Sequence, residues 1–234
     1  MNVQDIRNIF INKYKNKEFR IDKSGVKTLE IIGASFEANE EFIFGEPNYN
    51  YIKRELEWYD SMSLNVNDIP GKVPKIWKDV ADNDGYINSN YGWCIYSKEN
   101  YNQYQNCLGE LLYNPYSRRA TMIYNRPNMW EDYDKNGRSD FMCTFSTQHF
   151  IDNGLLINIV LMRSNDLRFG YLNDFAWQNT IANRLMNDIN EANYESNNYK
   201  NIIHDYKIIW IAGSLHMYEK DFYILDQYIK DNNL

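Results

Sequence analysis

Apolar side chains fall at helical spacing near the start of the chain and alternate in its middle, so the sequence reads as helices around a β-rich centre. Ile6, Phe10 and Tyr14 share one face of a predicted helix from about Val3 to Tyr14. Thr28–Phe36 alternates apolar and polar residues and predicts a strand. Tyr49–Tyr59 is predicted helical, with Ile52, Leu56 and Tyr59 on one stripe. Ser97 is placed to cap a helix running to about Tyr113. Strands are expected over Arg119–Tyr124, Phe141–Ile151 and Leu155–Arg163. The last two flank Asp152-Asn153-Gly154, a hairpin signal. Trp177, Ile181, Leu185 and Ile189 mark a helix from about Phe175 to Ile189. A surface connection over Asn190–Asn201, a strand over Lys207–Ala212 and a helix from about Lys220 to Ile229 complete the pattern. Clustered strands with helices before and after them make the class α+β.

Composition adds solubility and an unusual aromatic content. Hydrophobic residues at 44% and charged residues at 24% suit a globular domain, and 20 Tyr supply rings for core and for stacking. A formal net charge of −7 argues against a diffuse nucleic-acid surface, so any anion must be held by a few local cations. Three Cys without a paired spacing, two of them (Cys94 and Cys107) in segments that read as buried, fit a reducing cytoplasm. The opening MNVQDIRNIF has no apolar signal region and no window reaches membrane-spanning length, so the expected location is cytoplasmic.

Several familiar chemistries fail on spacing. Asp132-Tyr133-Asp134-Lys135-Asn136-Gly137 opens like a calcium loop, but Cys143 occupies the position that needs a bidentate Glu. It reads as a polar turn. His149, His204 and His216 are scattered, so no metal is expected, and no phosphate or dinucleotide Gly loop is present. Cys143 is the candidate nucleophile, on a predicted strand in Phe141-Met142-Cys143-Thr144. An isolated Cys is more often inert core. Here Arg118-Arg119 and Arg163 lie on the neighbouring predicted strands, and such cations favour a thiolate and bind phosphate through two hydrogen bonds at once. Arg163-Ser164-Asn165-Asp166 then packs a cation, a hydroxyl and a carboxylate into a predicted turn, and His216-x-Tyr218 follows a predicted strand.

In this order, Arg-Arg, Cys, Arg-Ser-x-Asp, Asn-Asp and His-x-Tyr resemble the thymidylate synthase superfamily over nearly the whole chain. The segments KSGVKTLEIIGASF, RELEWY, INSNYGW, SDFMCT, MRSNDLRFGYLNDFAW and GSLHMY are closest to its deoxycytidylate (dCMP) hydroxymethylase branch, known from T-even bacteriophages. The resemblance implies one catalytic domain over residues 1–234, with a large mixed sheet flanked by helices and a sheet face that forms a homodimer. It implies that Cys143 attacks C6 of the pyrimidine, that C5 takes the methylene carbon of methylenetetrahydrofolate, and that water completes the reaction. Glu55 matches the general acid/base and Tyr91 a tyrosine near the nucleophile. Lys23, Arg118, Arg119, Arg163 and Ser164 match phosphate ligands, with Arg118 and Arg119 reaching in from the second subunit. Asn165 and Asp174 match nucleotide-facing positions, and His216 and Tyr218 the pair that holds the deoxyribose 3′-hydroxyl. Ile76, Trp77, Asp166, Phe169 and Gly170 match folate-facing positions. Against these roles, Glu55 has the competing reading of a helix-surface Glu, the reading that also fits Glu57, and Trp77 that of plain core, although an aromatic wall beside a pterin is favoured.

The base is read from Asp174. Thymidylate synthases carry Asn there for uracil. Cytosine presents the opposite pattern, and a carboxyl group accepts from N4 and, when protonated, donates to N3. Desolvation would raise its pKa. The competing reading makes Asp174 the N-cap of the helix near Phe175. Two further departures from thymidylate synthase, Thr144 after the nucleophile and Ser214 before the His-x-Tyr motif, fit the hydroxymethylase branch. The family's closing C-terminal tail is not evident after the last predicted helix. A dUMP-directed synthase or hydroxymethylase, a CMP hydroxymethylase and, from another class, an interaction protein of a nucleotide-synthesis complex stay open as alternatives.

Overall fold

Asn2 starts the first helix, α1 (Val3–Lys15), through a reciprocal cap. Its side chain accepts from Asp5 N at 3.1 Å, and the Asp5 carboxylate accepts from Asn2 N at 2.9 Å. Val3, Ile6, Phe10 and Ile11 are buried. The computed structural model describes residues 1–198 and 201–233.

One six-stranded mixed sheet organises these residues, in the order β1-β2-β6-β5-β4-β3. The strands are β1 (Arg20–Ile21), β2 (Lys27–Glu37), β3 (Thr121–Ile123), β4 (Thr144–Asp152), β5 (Leu155–Asp166) and β6 (Asp205–Tyr218). Only β5 and β6 pair in parallel. The β4–β5 hairpin turns on Asn153 (φ 51°) and Gly154 (φ 78°), the positive pair that the two-residue turn requires.

Eight helices are described: α1, α2 (Tyr49–Ser61), α3 (Lys75–Val80), α4 (Tyr91–Tyr96), α5 (Gln103–Tyr113), α6 (Met129–Asp132), α7 (Gly170–Glu195) and α8 (Tyr223–Asp231). One core joins α1 and α8 to β2, β6 and the start of α7, around Phe10, Leu29, Trp210 and Leu215. A second joins α2, α4, α5 and the rest of α7, around Trp58, Leu111, Trp177 and Leu185. Each fully buried Leu or Phe contributes roughly 1.5–3 kcal/mol, against about 0–1 kcal/mol for an exposed ion pair, so burial and not surface charge holds the layers.

Several boundaries differ from the expectation for one physical reason: polar residues that serve the interior interrupt the apolar pattern. Cys143 is not on a strand; it sits at a bend immediately before β4. Arg163–Asp166 are the end of β5, not a turn, and His216 and Tyr218 belong to β6. Helix α7 begins at Gly170, so Asp174 lies inside it and is no N-cap; Phe169 holds that position, and its N–H donates to Asp166 Oδ2 at 2.8 Å. The same helix runs on to Glu195, where a surface connection was expected, because Asn190 pairs with both N (2.8 Å) and O (2.9 Å) of Ile203. Tyr199 and Lys200 of that segment lie outside the described residues. Ser97 closes α4 instead of opening α5, and its Oγ accepts from Asn100 N at 3.2 Å. The stripe expected on α2 is rotated: Glu55, Trp58 and Tyr59 are its buried residues. The residues around Asp132 form α6 and a short helical turn over Lys135–Gly137.

Candidate active site

Strand ends converge because the sheet is interrupted along one row. A register shift falls in β4 between Thr144 and Ser146. At Gly213 of β6 a Cβ would stand 2.8 Å from the Arg163 carbonyl, so only glycine allows that approach. Beyond this row, two adjoining cavities of about 1360 and 810 Å³ open on the sheet. Cys143, Arg163, Phe169, Gly170 and Asp174 line both.

Cys143 is tied to Arg163 through backbone and side chain. Its carbonyl accepts from Arg163 N at 2.7 Å, and its Sγ lies 3.7 Å from Nη2 of the guanidinium. Arg163 also donates to the carbonyls of Met142 (3.2 Å) and Phe141 (3.3 Å). Burial pushes the Cys143 thiol up to about 11, Asp174 adds to that, and Arg163 opposes it. The expected activation by surrounding cations is therefore corrected: a single arginine faces the sulfur, and burial outweighs it. Arg118 and Arg119 are exposed before β3 and line neither cavity; Arg119 pairs with Glu110 at 2.9 Å.

Glu55 is buried, unlike its neighbour Glu57, which faces solvent near Lys53. The Tyr51 hydroxyl, one turn earlier, donates to the Glu55 carboxylate, and Trp77 Nε1 donates to it at 3.0 Å. Desolvation pushes Glu55 up to about 7 while these two donors pull it down. A carboxyl group titrating there can both take and give a proton at neutral pH. Trp77 serves wall and core together, since its ring also packs on Trp58 with centroids 5.2 Å apart. Ile76 beside it is exposed on the cavity side.

Asp174 has a donor on each oxygen. Tyr91 Oη donates to Oδ1 at 2.9 Å and Asn165 Nδ2 to Oδ2 at 2.7 Å. Desolvation pushes its carboxyl up to about 7, with Glu55 adding to the rise, as a base-facing carboxyl group was expected to behave.

At the β6 end, His216 and Tyr218 line the larger cavity, with ring centroids 5.0 Å apart. Lys23 is exposed on the turn between β1 and β2 and lines both cavities. Ser164, Asn165, Asp166 and Phe169 complete the wall on the α7 side. Of the candidate residues, then, all but Arg118 and Arg119 meet around one space. Tyr51, Asn173, Glu30 and Ser214 were not anticipated. Tyr51 is legible as the residue four before Glu55 on a helix. Glu30 and Ser214 come together only through strand pairing.

A thiol, two desolvated carboxyl groups and a histidine gathered around one cavity on a mixed sheet are the residue types that nucleophilic catalysis needs. The chain belongs to the thymidylate synthase family, whose model matches residues 5–233. It is 53% identical over 230 residues to the deoxycytidylate 5-hydroxymethyltransferase of Enterobacteria phage T4, covering 98% of this chain and 92% of that protein. The corresponding transferase of Enterobacteria phage T6 matches equally, at 53% over 230 residues with the same coverage. Thymidylate synthase of Clostridium beijerinckii is 25% identical over 162 residues, covering 67% of this chain and 59% of that enzyme.

Proposed function

We propose that the chain is a deoxycytidylate 5-hydroxymethyltransferase, acting as one catalytic domain over residues 1–234. The carrying observation is Asp174: a half-buried, desolvated carboxyl group with a pKa near 7, steadied by Tyr91 and Asn165, beside the Cys143 thiol. Protonated, it donates to cytosine N3, and its other lone pairs accept from the N4 amine. Uracil presents a donor at N3 and an acceptor at O4, so it needs the proton on the other carboxyl oxygen, and ionised Asp174 has none to give to O4. The identity to the two phage transferases supports the same reading, and with it a phage-encoded enzyme acting in its host's cytoplasm.

In the mechanism that fits, Cys143 Sγ adds to C6 and makes C5 nucleophilic. Methylenetetrahydrofolate, the co-substrate, supplies the one-carbon unit and leaves as tetrahydrofolate. Glu55 shuttles protons to and from the ring, the proton lost from C5 among them, and orients water, whose oxygen becomes the product hydroxyl; the C6–S bond then breaks and frees Cys143. Tyr91 holds Asp174 toward the base. Arg163, Ser164 and Lys23 bind the phosphate, and His216 and Tyr218 the 3′-hydroxyl. The walls suit a flat pterin carrying N–H donors: Ile76, Trp77 and Phe169 are apolar, and buried Asp166 Oδ1 and Asn173 Oδ1 have no partner among the described residues. A burial pattern in which Ile157, Ile159 and Leu161 of β5 and Ile209 and Ile211 of β6 stay half-exposed supports a homodimer on that sheet face, with Arg118 and Arg119 given to the partner's phosphate.

The test is the product mass after incubation with methylenetetrahydrofolate and either dCMP or dUMP. 5-Hydroxymethyl-dCMP is expected. A methylated product with dihydrofolate released sinks the hydroxymethylase reading, and preferential use of dUMP sinks the role of Asp174.

A further inference from the structure

Glu30 and His216 stand directly opposite each other across the antiparallel β2–β6 pair, and Ser214 is the diagonal neighbour on the same face. Glu30 divides its oxygens between two donors. Oε2 lies 3.2 Å from Arg20 Nη1, and Oε1 accepts the Ser214 hydroxyl at 2.5 Å. Ser214 Oγ is also 3.3 Å from His216 Nδ1.

A serine hydroxyl has one proton to give. In this arrangement that proton is committed to the Glu30 carboxylate, which as the partner of Arg20 is an acceptor. Toward His216, Ser214 Oγ can then act only as an acceptor, so the hydrogen between them sits on Nδ1. Burial holds the ring below the ordinary histidine range, against the pull of Asp166 and Glu30, so one nitrogen is bare at neutral pH. Glu30, Ser214 and His216 all line the larger cavity.

We infer that Glu30 and Ser214 are positioning residues that lock His216 as the Nδ1–H tautomer, leaving Nε2 as a bare acceptor for a hydroxyl group of the bound nucleotide. The identity of that hydroxyl, the 3′-hydroxyl of the sugar, rests on the proposed function; the tautomer does not. A carboxylate thus reaches the histidine from the neighbouring strand by way of a serine, and the site asks its ligand for a donor.

Long-range proton–nitrogen NMR of the ligand-free protein reads the tautomer directly, with His216 assigned by comparison with a His216→Gln sample. The wild type is expected to show Nδ1–H. In Glu30→Ala the freed Ser214 proton turns to Nδ1, so the Nε2–H form should become the major one. KM for dCMP should rise roughly 3- to 10-fold, the loss of about one hydrogen bond, with kcat changed far less. An Nε2–H signal in the wild type overturns the inference without recourse to any variant. So does a folded Glu30→Ala protein with unchanged tautomer and KM. The product-mass assay fails or succeeds independently of either result.

Discussion

Tyr91 and Asp174, far apart in the chain, meet through a 2.9 Å hydrogen bond from the phenol to Oδ1. This contact spends one lone pair of the carboxyl group and so, in the proposed role of Asp174, fixes which edge it would offer the base. Asp174→Asn keeps the size but exchanges a protonatable oxygen for an amide, which matches uracil. The expected result is a loss of at least about a hundredfold in kcat/KM for dCMP with a gain for dUMP, because a mismatched buried polar pair discriminates more strongly than lost apolar contact. Steady-state kinetics on both nucleotides checks it; an unchanged preference would remove Asp174 from base selection.

The position of Asp174 also shows where the sequence pattern stops being legible. The apolar repeat of α7 is clear from Trp177 onward, so the helix was found, but its first turn carries Asn173 and Asp174 toward the cavity and lost the pattern. The strand ends Arg163–Asp166 and Ser214–Tyr218 were cut short for the same reason: each turns polar where it lines the cavity. α1, β2 and the Asn153-Gly154 hairpin keep their apolar pattern or turn signal and were readable to within one residue or so, even though Glu30 of β2 lines the cavity. The site residues were found through family motifs, whereas the Glu30–Ser214 contact depends on pairing between strands distant in sequence.

Tyr51 holds Glu55 down against desolvation, together with Trp77. In Tyr51→Phe one donor is lost and the Glu55 carboxyl group should titrate higher. The ionisation that reports Glu55 in the pH profile of kcat/KM should move to higher pH, and the Asp174 ionisation, which the Glu55 charge raises, should not move up with it. A profile superimposable on the wild type would mean that Glu55 does not set that limb.

Stability should carry the signature of these buried acids. Asp174 titrates near 7 in the fold against an ordinary 3.8. Below about pH 4 both folded and unfolded chains hold the proton and no charge is buried. As pH rises from there to about 7, the unfolded chain releases its proton first, so the folded state loses stability, and the loss levels off above that. For Asp174 the full effect is up to about 4 kcal/mol. Burial pushes His149 down to about 4, which acts in the opposite sense between about pH 4 and 6.5, so the comparison must be a difference. Relative to wild type, ligand-free Asp174→Asn should gain stability as pH rises from about 4 to about 7 and hold that gain above it, measured by urea midpoint; a constant difference refutes the raised pKa.

The Cys143 thiol should be slow to alkylate in the free enzyme. Burial pushes it up to about 11, and the neighbouring Asp174 carboxylate adds to this. Removing that charge in Asp174→Asn should therefore speed iodoacetamide modification of Cys143 several-fold at neutral pH. Cys94 and Cys107, both pushed up to about 12 by burial, serve as internal controls in the peptide map. Equal rates in both proteins would mean that the carboxylate does not reach the sulfur. Cys143→Ser should lose turnover and still bind dCMP in a calorimeter.

Arg118 and Arg119 are exposed and line neither cavity of their own chain. If they complete the phosphate site of a partner, two different inactive variants should repair each other. Arg118→Ala/Arg119→Ala supplies a good nucleophile but no trans arginines, and Cys143→Ser supplies the arginines but no nucleophile. In a two-fold dimer, a mixed pair has one site with Cys143 from one chain and both arginines from the other, and one site lacking both. After subunit exchange at equal amounts, about half the dimers are mixed, and each has one working site. Activity should then recover to roughly a quarter of wild type from a background near zero. Arginines acting in their own chain would leave the mixture inactive, because each site would still lack either its nucleophile or its phosphate ligands.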